Sequence, residues 1–167
     1  MLKLEPLTTA QIPLLREFLS RYPRQSCDYN ICNLLSWGKI YNNQYTLWEG
    51  HLVLVNPQYS YLLYPVGPGL GADKTRELFD LYREDAPEAK LLIIPENWQE
   101  SCPGLDRHFE ISDDRDWYDY VYATEKMVNL RGKKLTKKKN LISQFRRAYP
   151  NYHVLPISKE KHEVIER

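Results

Sequence analysis

Three β-type segments follow one another in the middle of the chain with only short turns between them. Their sequences are QYTLWEG, HLVLVN and YSYLLYPV, and the turns lie at Glu49-Gly50 and Asn56-Pro57. Connections this short join antiparallel neighbours, because parallel strands need a crossover of about a dozen residues or more. Residues 44–66 therefore predict an antiparallel meander, around which the other elements have to be arranged.

The part of the chain before the meander predicts one short strand and two helices. Residues 2–7 have the pattern of a strand, and the spacing of Thr8 and Gln11 is that of a capping box at the start of a helix. Apolar residues then recur at helical intervals, at Ile12, Leu15, Phe18, Leu19 and Tyr22. A second helix is predicted from about Tyr29 to Tyr41.

After the meander, the hydrophobic period changes from that of strands to that of a helix. A glycine-rich loop, Gly67 to Gly71, precedes a helix predicted to end between Asp85 and Pro87. The apolar run KLLII, from Lys90 to Ile94, is typical of a strand buried on both faces. Residues 95–105 predict a short helix or loop, and HFEIS and WYDYVYA predict two more strands.

The resulting order is strand, two helices, three strands, helix, strand, short helix and two strands. This order resembles the GNAT (acyl-CoA N-acyltransferase) fold. The predicted fold class is α+β, a GNAT-like mixed sheet flanked by helices and followed by a basic linking helix. In that fold the fourth and fifth strands splay apart and hold the donor's pantetheine, or its equivalent, between them. The resemblance makes Tyr59 to Val66 the fourth strand and Lys90 to Ile94 the fifth.

Three sequence patterns carry a narrower resemblance. The segments DYNICNLLSWGKIYN, WYDYVY and LRGKKLTKKKNLISQF look like those of bacterial tandem GNAT-like proteins related to the C-terminal domain of phosphatidylglycerol lysyltransferase. That domain consists of two GNAT-like units and moves an amino acid from tRNA to a lipid. The resemblance implies an acyl- or aminoacyltransferase that uses aminoacyl-tRNA, or acyl-CoA, as donor and an amine or hydroxyl acceptor. The alternative is a non-catalytic nucleic-acid or anionic-membrane binding module on a degenerate GNAT fold.

The same resemblance gives a domain organisation. Residues 1–124 are predicted to form a GNAT-like unit, residues 125–150 a basic linking helix, and residues 151–167 the start of a second GNAT-like unit. The last prediction rests on NYHVLPISKEKHEVIER, which repeats the order of strand, proline, hydroxyl residue and helix start seen in LKLEPLTTAQIPLL. Chance similarity of two strand-helix junctions is the alternative. If the chain continues past Arg167, we expect a second unit as its partner.

Charge divides the chain into two parts. Residues 1–124 contain eleven Lys/Arg and eighteen Asp/Glu, and residues 125–167 contain twelve and four, so the total of +1 combines −7 with +8. The segment from Arg131 to Arg147 contains eight cations and no acid. Its apolar residues, Leu135, Leu141, Ile142, Phe145, Ala148 and Tyr149, fall on one arc of a helical wheel. This pattern predicts an amphipathic basic helix.

Cations crowd the N-terminal end of that helix. Unpaired backbone N–H groups and the helix dipole already produce positive potential there, so a bound anion would be stabilised. The predicted phosphate- or tRNA-binding residues are Arg131, Lys133, Lys134, Lys137, Lys138, Lys139 and Asn140. The alternatives are a solvated face, or a face neutralised by Asp113, Asp114, Asp116 and Asp119.

Two further features are weaker site candidates. Gly67, Gly69 and Gly71 lie where a GNAT fold places its pyrophosphate-binding loop, but Pro68 has no N–H and the loop contains no cation, so a structural turn is the alternative. Strand alternation in WYDYVY places Asp119 on an apolar-leaning face, where a raised pKa would suit a general base. Tyr120 is a candidate because GNAT enzymes often use a tyrosine as general acid; packing or an ion pair is the alternative.

Several classes of protein are excluded or disfavoured. No apolar run approaches the ~20 residues of a membrane-spanning helix, and the N-terminus lacks a signal-peptide pattern, so we expect a cytoplasmic protein, peripheral to the membrane if the basic helix meets an anionic leaflet. Cys27, Cys32 and Cys102 form no CxxC pair and the four histidines are scattered, so no metal site is predicted. No Ser/His/Asp triad or Walker loop is present.

Overall fold

A computed structural model describes residues 2–156 of the chain. The strands are β1 (Glu5–Pro6), β2 (Gln44–Trp48), β3 (His51–Asn56), β4 (Tyr61–Leu63) and β5 (Lys90–Leu92). The helices are α1 (Ile12–Arg21), α2 (Ile31–Ser36), α3 (Gly38–Tyr41), α4 (Ala72–Arg83), α5 (Trp98–Ser101), α6 (Thr124–Asn129) and α7 (Thr136–Ala148).

The five strands form one mixed sheet in the order β1-β2-β3-β4-β5. The first four are antiparallel neighbours, and the register places Thr46 opposite Val53 and Val55 opposite Leu62. β5 is parallel to β4, with Leu62 opposite Leu91, because α4 carries the chain back across the sheet between them. The predicted meander and the α+β, GNAT-like mixed sheet are therefore confirmed.

Each face of the sheet has its own core. On one face, Val53, Val55 and Leu62 pack with Leu78 and Tyr82 of α4. On the other face, Leu52 and Leu54 of β3 pack against α1 and α2. Their cluster also contains Leu7, Leu15, Leu34 and Val66. β3 is therefore buried throughout, as a central strand covered by helices on both faces should be.

The start of the first helix follows the predicted capping box. The Thr8 hydroxyl accepts a hydrogen bond from the Ala10 N–H at 3.2 Å, and the Gln11 side-chain oxygen accepts one from the Thr8 N–H at 2.9 Å. The second predicted helix, Tyr29 to Tyr41, is divided in the structure. Asn30 caps α2 through its side chain, and a break at Trp37 separates α2 from α3.

The structure contradicts two predictions about strands. One is that HFEIS and WYDYVYA form strands, and the other is that KLLII is buried on both faces. HFEIS and WYDYVYA form no strand; a 3₁₀ turn spans Arg115–Trp117, and side-chain contacts anchor this segment where strand pairing was expected. The run KLLII does contain β5, but Lys90 is exposed and the following residues are only half-buried. The reason is that β5 is the last strand of the described sheet, so its outer edge has no neighbour.

The chain divides into two compact units after Asp119. The first contains the sheet and helices α1 to α5, and the described part of the second contains α6 and α7. No strand forms in residues 151–156, and the rest of the predicted second GNAT-like start, residues 157–167, lies outside the described residues. Within residues 2–156, no helix combines the length and apolar character needed to span a bilayer.

Candidate functional site

An arginine contacts the chain where it leaves β4, at the end of the ladder between β4 and β5. The ladder ends with a hydrogen bond of 2.8 Å from the Tyr64 N–H to the Leu92 carbonyl, and Ile93 then takes a left-handed φ of 57° that ends the strand. Arg24 donates to the Pro65 carbonyl and lies over the Tyr64 ring at 5.4 Å from its centroid. The chain leaving β4 is thus fixed by a side chain from the α1–α2 connection.

A buried tyrosine reinforces the same turn. The Tyr29 hydroxyl donates to the Tyr64 carbonyl at 2.7 Å, and the Arg24 guanidinium also lies over the Tyr29 ring. Burial raises the pKa of Tyr29 well above its usual value. The Tyr29 hydroxyl therefore stays protonated and acts as a structural donor.

The glycine-rich loop contains one glycine that packing requires and two that it does not. A Cβ added at Gly67 would lie 2.5 Å from Cδ2 of His51, whereas a Cβ at Gly69 or Gly71 would meet nothing within 4 Å. His51 is buried, and its Nε2 lies 2.7 Å from the Pro68 carbonyl oxygen. Gly67 is therefore explained by packing, and the backbone at Gly69 and Gly71 is sterically open.

The cations next to this loop are already paired. Lys74 contacts Glu49 at 2.9 Å and Glu77 at 2.8 Å, and Arg76 contacts Asp80 at 2.8 Å. The N-terminus of α4 has no side-chain cap from Gly71. The loop therefore offers open backbone at Gly69 and Gly71 but little uncompensated positive charge, and pyrophosphate binding by Gly67, Gly69 and Gly71 stays a prediction.

A cavity of about 510 Å³ lies on the α2 face of the sheet, beside β4 and β5. We call it the aromatic pocket. Its wall is a continuous series of five rings, and its floor is aliphatic. The wall consists of Trp37, Tyr41, Tyr59, Tyr61 and Trp117, and the floor includes Leu34, Leu54, Leu63 and Leu92.

The sequence does not predict the aromatic pocket, because tyrosines in strand-like segments are most often packing residues. Two spacings are compatible with it in retrospect. Tyr59 and Tyr61 lie two residues apart at the start of β4, and Trp37 and Tyr41 lie four apart at the helix break, so each pair can share a side. Trp117 comes from more than fifty residues further along, and no local pattern could have placed it.

Asp119 does not have the environment predicted for a general base. Its carboxylate accepts a hydrogen bond of 2.8 Å from the Cys27 N–H. Hydrogen bonds from the Cys27 side chain and backbone hold the pKa of Asp119 below its usual value, and the same contact raises the pKa of Cys27 to about 11. The prediction of a raised Asp119 pKa is therefore wrong, since WYDYVY forms no buried strand face; a catalytic role for Asp119 stays a prediction.

Tyr120, the other catalytic candidate in WYDYVY, is exposed to solvent. Tyr120 is the first residue of the second unit and is 88% exposed.

Asp28, which the sequence did not single out, lines the aromatic pocket. Partial burial is the main cause that raises the pKa of Asp28, and the charge of Asp119 adds to it.

Most of the predicted anion-binding residues lie at or just before the N-terminal end of α7. Lys133 and Lys134 lie in a 3₁₀ turn that leads into α7, and Lys137, Lys138, Lys139 and Asn140 occupy its first turns. Neither Gly132 nor Leu135 supplies a side-chain cap, and no acid lies in the first turn. Within the described part of the second unit, none of these cations forms an ion pair.

Solved structures provide one informative comparison. A crystal structure of a conserved protein of unknown function from Bacteroides thetaiotaomicron VPI-5482 is 26% identical to this chain and superposes with a TM-score of 0.73. The match covers 99% of this chain and 57% of that one, so this chain spans little more than half the length of the relative. No curated protein matches.

The family comparison is more specific. Residues 19–167, well over half of the chain, match the family model described as phosphatidylglycerol lysyltransferase, C-terminal. The match includes the meander, α4, β5 and the basic helix. This places the chain in an aminoacyltransferase-like family, in agreement with the resemblance of its sequence patterns. The chain belongs to the family of phosphatidylglycerol lysyltransferase C-terminal domains.

Proposed function

We propose that this chain takes part in moving an amino acid from aminoacyl-tRNA to an amine or hydroxyl acceptor. The observation that carries the proposal is the family match over residues 19–167 on a GNAT-like sheet. The reaction would be direct acyl transfer. The acceptor nitrogen or oxygen bonds to the ester carbonyl carbon, the ester C–O bond breaks, and the proton lost by the acceptor ends on the ribose oxygen of the tRNA. Positioning and oxyanion stabilisation would supply the catalysis.

The basic helix is the part of this chain best suited to the donor. Uncapped N–H groups at a helix N-terminus attract phosphate, and the lysines there otherwise oppose the helix dipole at about 0.3–1 kcal/mol each. The phosphates of a tRNA backbone would interact favourably with both the lysines and the free N–H groups. Arg131, Lys133 and Lys134 extend the same positive end, so several phosphates are within the reach of one short segment.

Acyl-CoA is the other donor that the fold resemblance implies. Its pyrophosphate would have to bind at the glycine-rich loop, where Lys74 and Arg76 are already paired with acids. We therefore favour aminoacyl-tRNA as donor. Isothermal titration with coenzyme A checks this preference, and micromolar binding would reverse it.

A salt titration of tRNA binding tests the donor assignment. We expect binding at low ionic strength that weakens steeply with salt, because each phosphate contact releases counterions. The triple variant Lys133→Ala/Lys137→Ala/Lys138→Ala should reduce the slope of log K against log[salt] by about 2 to 3. The matched control Lys3→Ala/Lys39→Ala/Lys90→Ala removes the same charge from exposed positions of the first unit and should leave the slope unchanged. Equal affinities of the two triple variants would contradict the assignment.

A second candidate function is a non-catalytic module that binds an anionic membrane surface. The observation that favours it is the exposed apolar side of α7, where Phe145 lies 5.1 Å from Tyr149 and 5.2 Å from Tyr152 between ring centroids. A polybasic helix with exposed aromatic residues suits an anionic interface. Cosedimentation with phosphatidylglycerol vesicles, and none with phosphatidylcholine vesicles, combined with no transfer of the amino acid from aminoacyl-tRNA, would favour this function over the first.

A further inference from the structure

We propose that the aromatic pocket of the first unit binds an organic ammonium ion, a positively charged nitrogen carried on a hydrocarbon body. The proposal does not depend on the acyl-transfer function, since it rests on the shape, lining and charge of a single cavity. With a volume of about 510 Å³, this cavity is large enough for a small organic molecule and too large to be a packing defect.

The wall of the pocket is built of aromatic faces and edges. Neighbouring ring centroids are 5.6 Å apart for Trp37 and Tyr41, 5.6 Å for Tyr41 and Tyr59, 5.7 Å for Tyr59 and Tyr61, and 5.7 Å for Tyr61 and Trp117. The face of each ring carries negative π potential, which attracts cations, and five such rings lie in unbroken contact around this one cavity.

The outer rings of this wall are open to a ligand. Trp37 is 50% exposed, Tyr59 is 49% exposed and Trp117 is 45% exposed, although large aromatic side chains usually bury most of their surface. The three come from α3's start, the turn before β4 and the Arg115–Trp117 turn, so separate parts of the chain converge on the opening. An occupant would cover apolar surface that the first unit leaves in water.

The polar residues of the pocket select for positive charge. No Lys or Arg lines the cavity, and Asp28 does. Asp119 is bonded to the N–H of Cys27, another lining residue, and its charge acts unfavourably on that of Asp28. Neither carboxylate forms an ion pair with another described residue. A cation would relieve this repulsion, whereas a phosphate or carboxylate ligand would increase it.

The floor determines what the cation must be attached to. Leu34, Leu54 and Leu63 present aliphatic surface below the aromatic wall, so a bare metal ion would lose its hydration without gaining ligands there. No group of three or more potential metal ligands occurs among residues 2–156. A primary or quaternary ammonium with a hydrocarbon chain matches both parts of the lining.

A matched ligand series tests the proposal on the full chain. Hexylamine, hexanol and hexanoate share one hydrocarbon body and differ in the charge of the head group. We expect isothermal titration to give tightest binding for hexylamine at pH 7, then hexanol, with hexanoate weakest. We also expect hexylamine to change tryptophan fluorescence through Trp37 and Trp117. Hexanol or hexanoate binding as tightly as hexylamine, or no binding of hexylamine at millimolar concentration, would overturn the proposal.

Variants then locate the site. Trp37→Leu/Trp117→Leu should weaken hexylamine binding about two- to fivefold for each ring removed. Asp28→Asn keeps the side-chain shape and should reduce the preference for hexylamine over hexanol. The controls are Tyr122→Leu, an exposed aromatic that does not line the pocket, and Asp106→Asn, an exposed acid that does not line it either. Circular dichroism checks that each variant is folded. Equal affinities in folded pocket and control variants would place the ammonium elsewhere and refute the assignment.

Discussion

At the scale of single residues, the glycine-rich loop shows how a sequence motif can have a packing explanation. Gly67 lies against a buried histidine whose two ring nitrogens each face a backbone carbonyl, at 3.0 Å for Glu49 and 2.7 Å for Pro68. The His51 ring therefore has little freedom to move away from a new side chain. Nothing in the letters GPGLG separates this glycine from Gly69 and Gly71, because the distinction depends on a contact with a residue sixteen positions earlier.

The first prediction follows from that contact. Gly67→Ala should lower the free energy of unfolding by about 1–3 kcal/mol, since its Cβ would meet His51 Cδ2 at 2.5 Å and His51 Cα at 3.1 Å. Gly69→Ala is the matched control. Its Cβ would meet nothing within 4 Å and its φ is not left-handed, so it should be neutral or stabilising by up to about 1 kcal/mol. Urea unfolding measures both, and equal midpoints would show that the His51 contact does not constrain the loop.

At the scale of elements, the sequence predicted what depends on local pattern and missed what depends on distant partners. The meander, α1, α4 and β5 follow from periodicity and turn residues, and the structure contains them. WYDYVY alternates as a strand does, yet it pairs with no strand of the described sheet. Trp117 instead contacts the Tyr61 ring, and Asp119 accepts from the Cys27 N–H. The aromatic pocket escaped prediction for the same reason, because its rings converge from separate elements.

The second prediction concerns the start of α1. Thr8→Ala removes the hydroxyl that accepts from the Ala10 N–H, and should cost about 1 kcal/mol of unfolding free energy. Thr9 is the neighbouring control, since it is exposed and lies inside the first turn with no side-chain hydrogen bond among those described. Thr9→Ala should change stability by less than about 0.5 kcal/mol. The two urea midpoints decide, and a Thr8→Ala midpoint equal to that of Thr9→Ala would mean that the capping box contributes nothing.

At the scale of the whole molecule, charge and structure divide the chain at nearly the same place. The compact units separate after Asp119, and no charged residue lies between Tyr120 and Thr124, so the first unit carries the acidic excess of the sequence and the second carries the basic excess. Tyr120, Val121 and Tyr122 are exposed, belong to no helix or strand, and form no backbone hydrogen bond with described residues. Such a segment can enter a protease active site without unfolding either unit.

Limited digestion with chymotrypsin should therefore cut first after Tyr120 or Tyr122. A cut at either position leaves an N-terminal fragment with eleven Lys/Arg and eighteen Asp/Glu, and a remainder with twelve and four, so ion exchange separates the two and mass spectrometry identifies the site. The variant Tyr120→Ser/Tyr122→Ser should slow this cleavage and leave cuts elsewhere unchanged. A first cut inside residues 1–119 would mean that the sheet unit opens more readily than the connection after it, and the division of the molecule after Asp119 would then not describe how it behaves in solution.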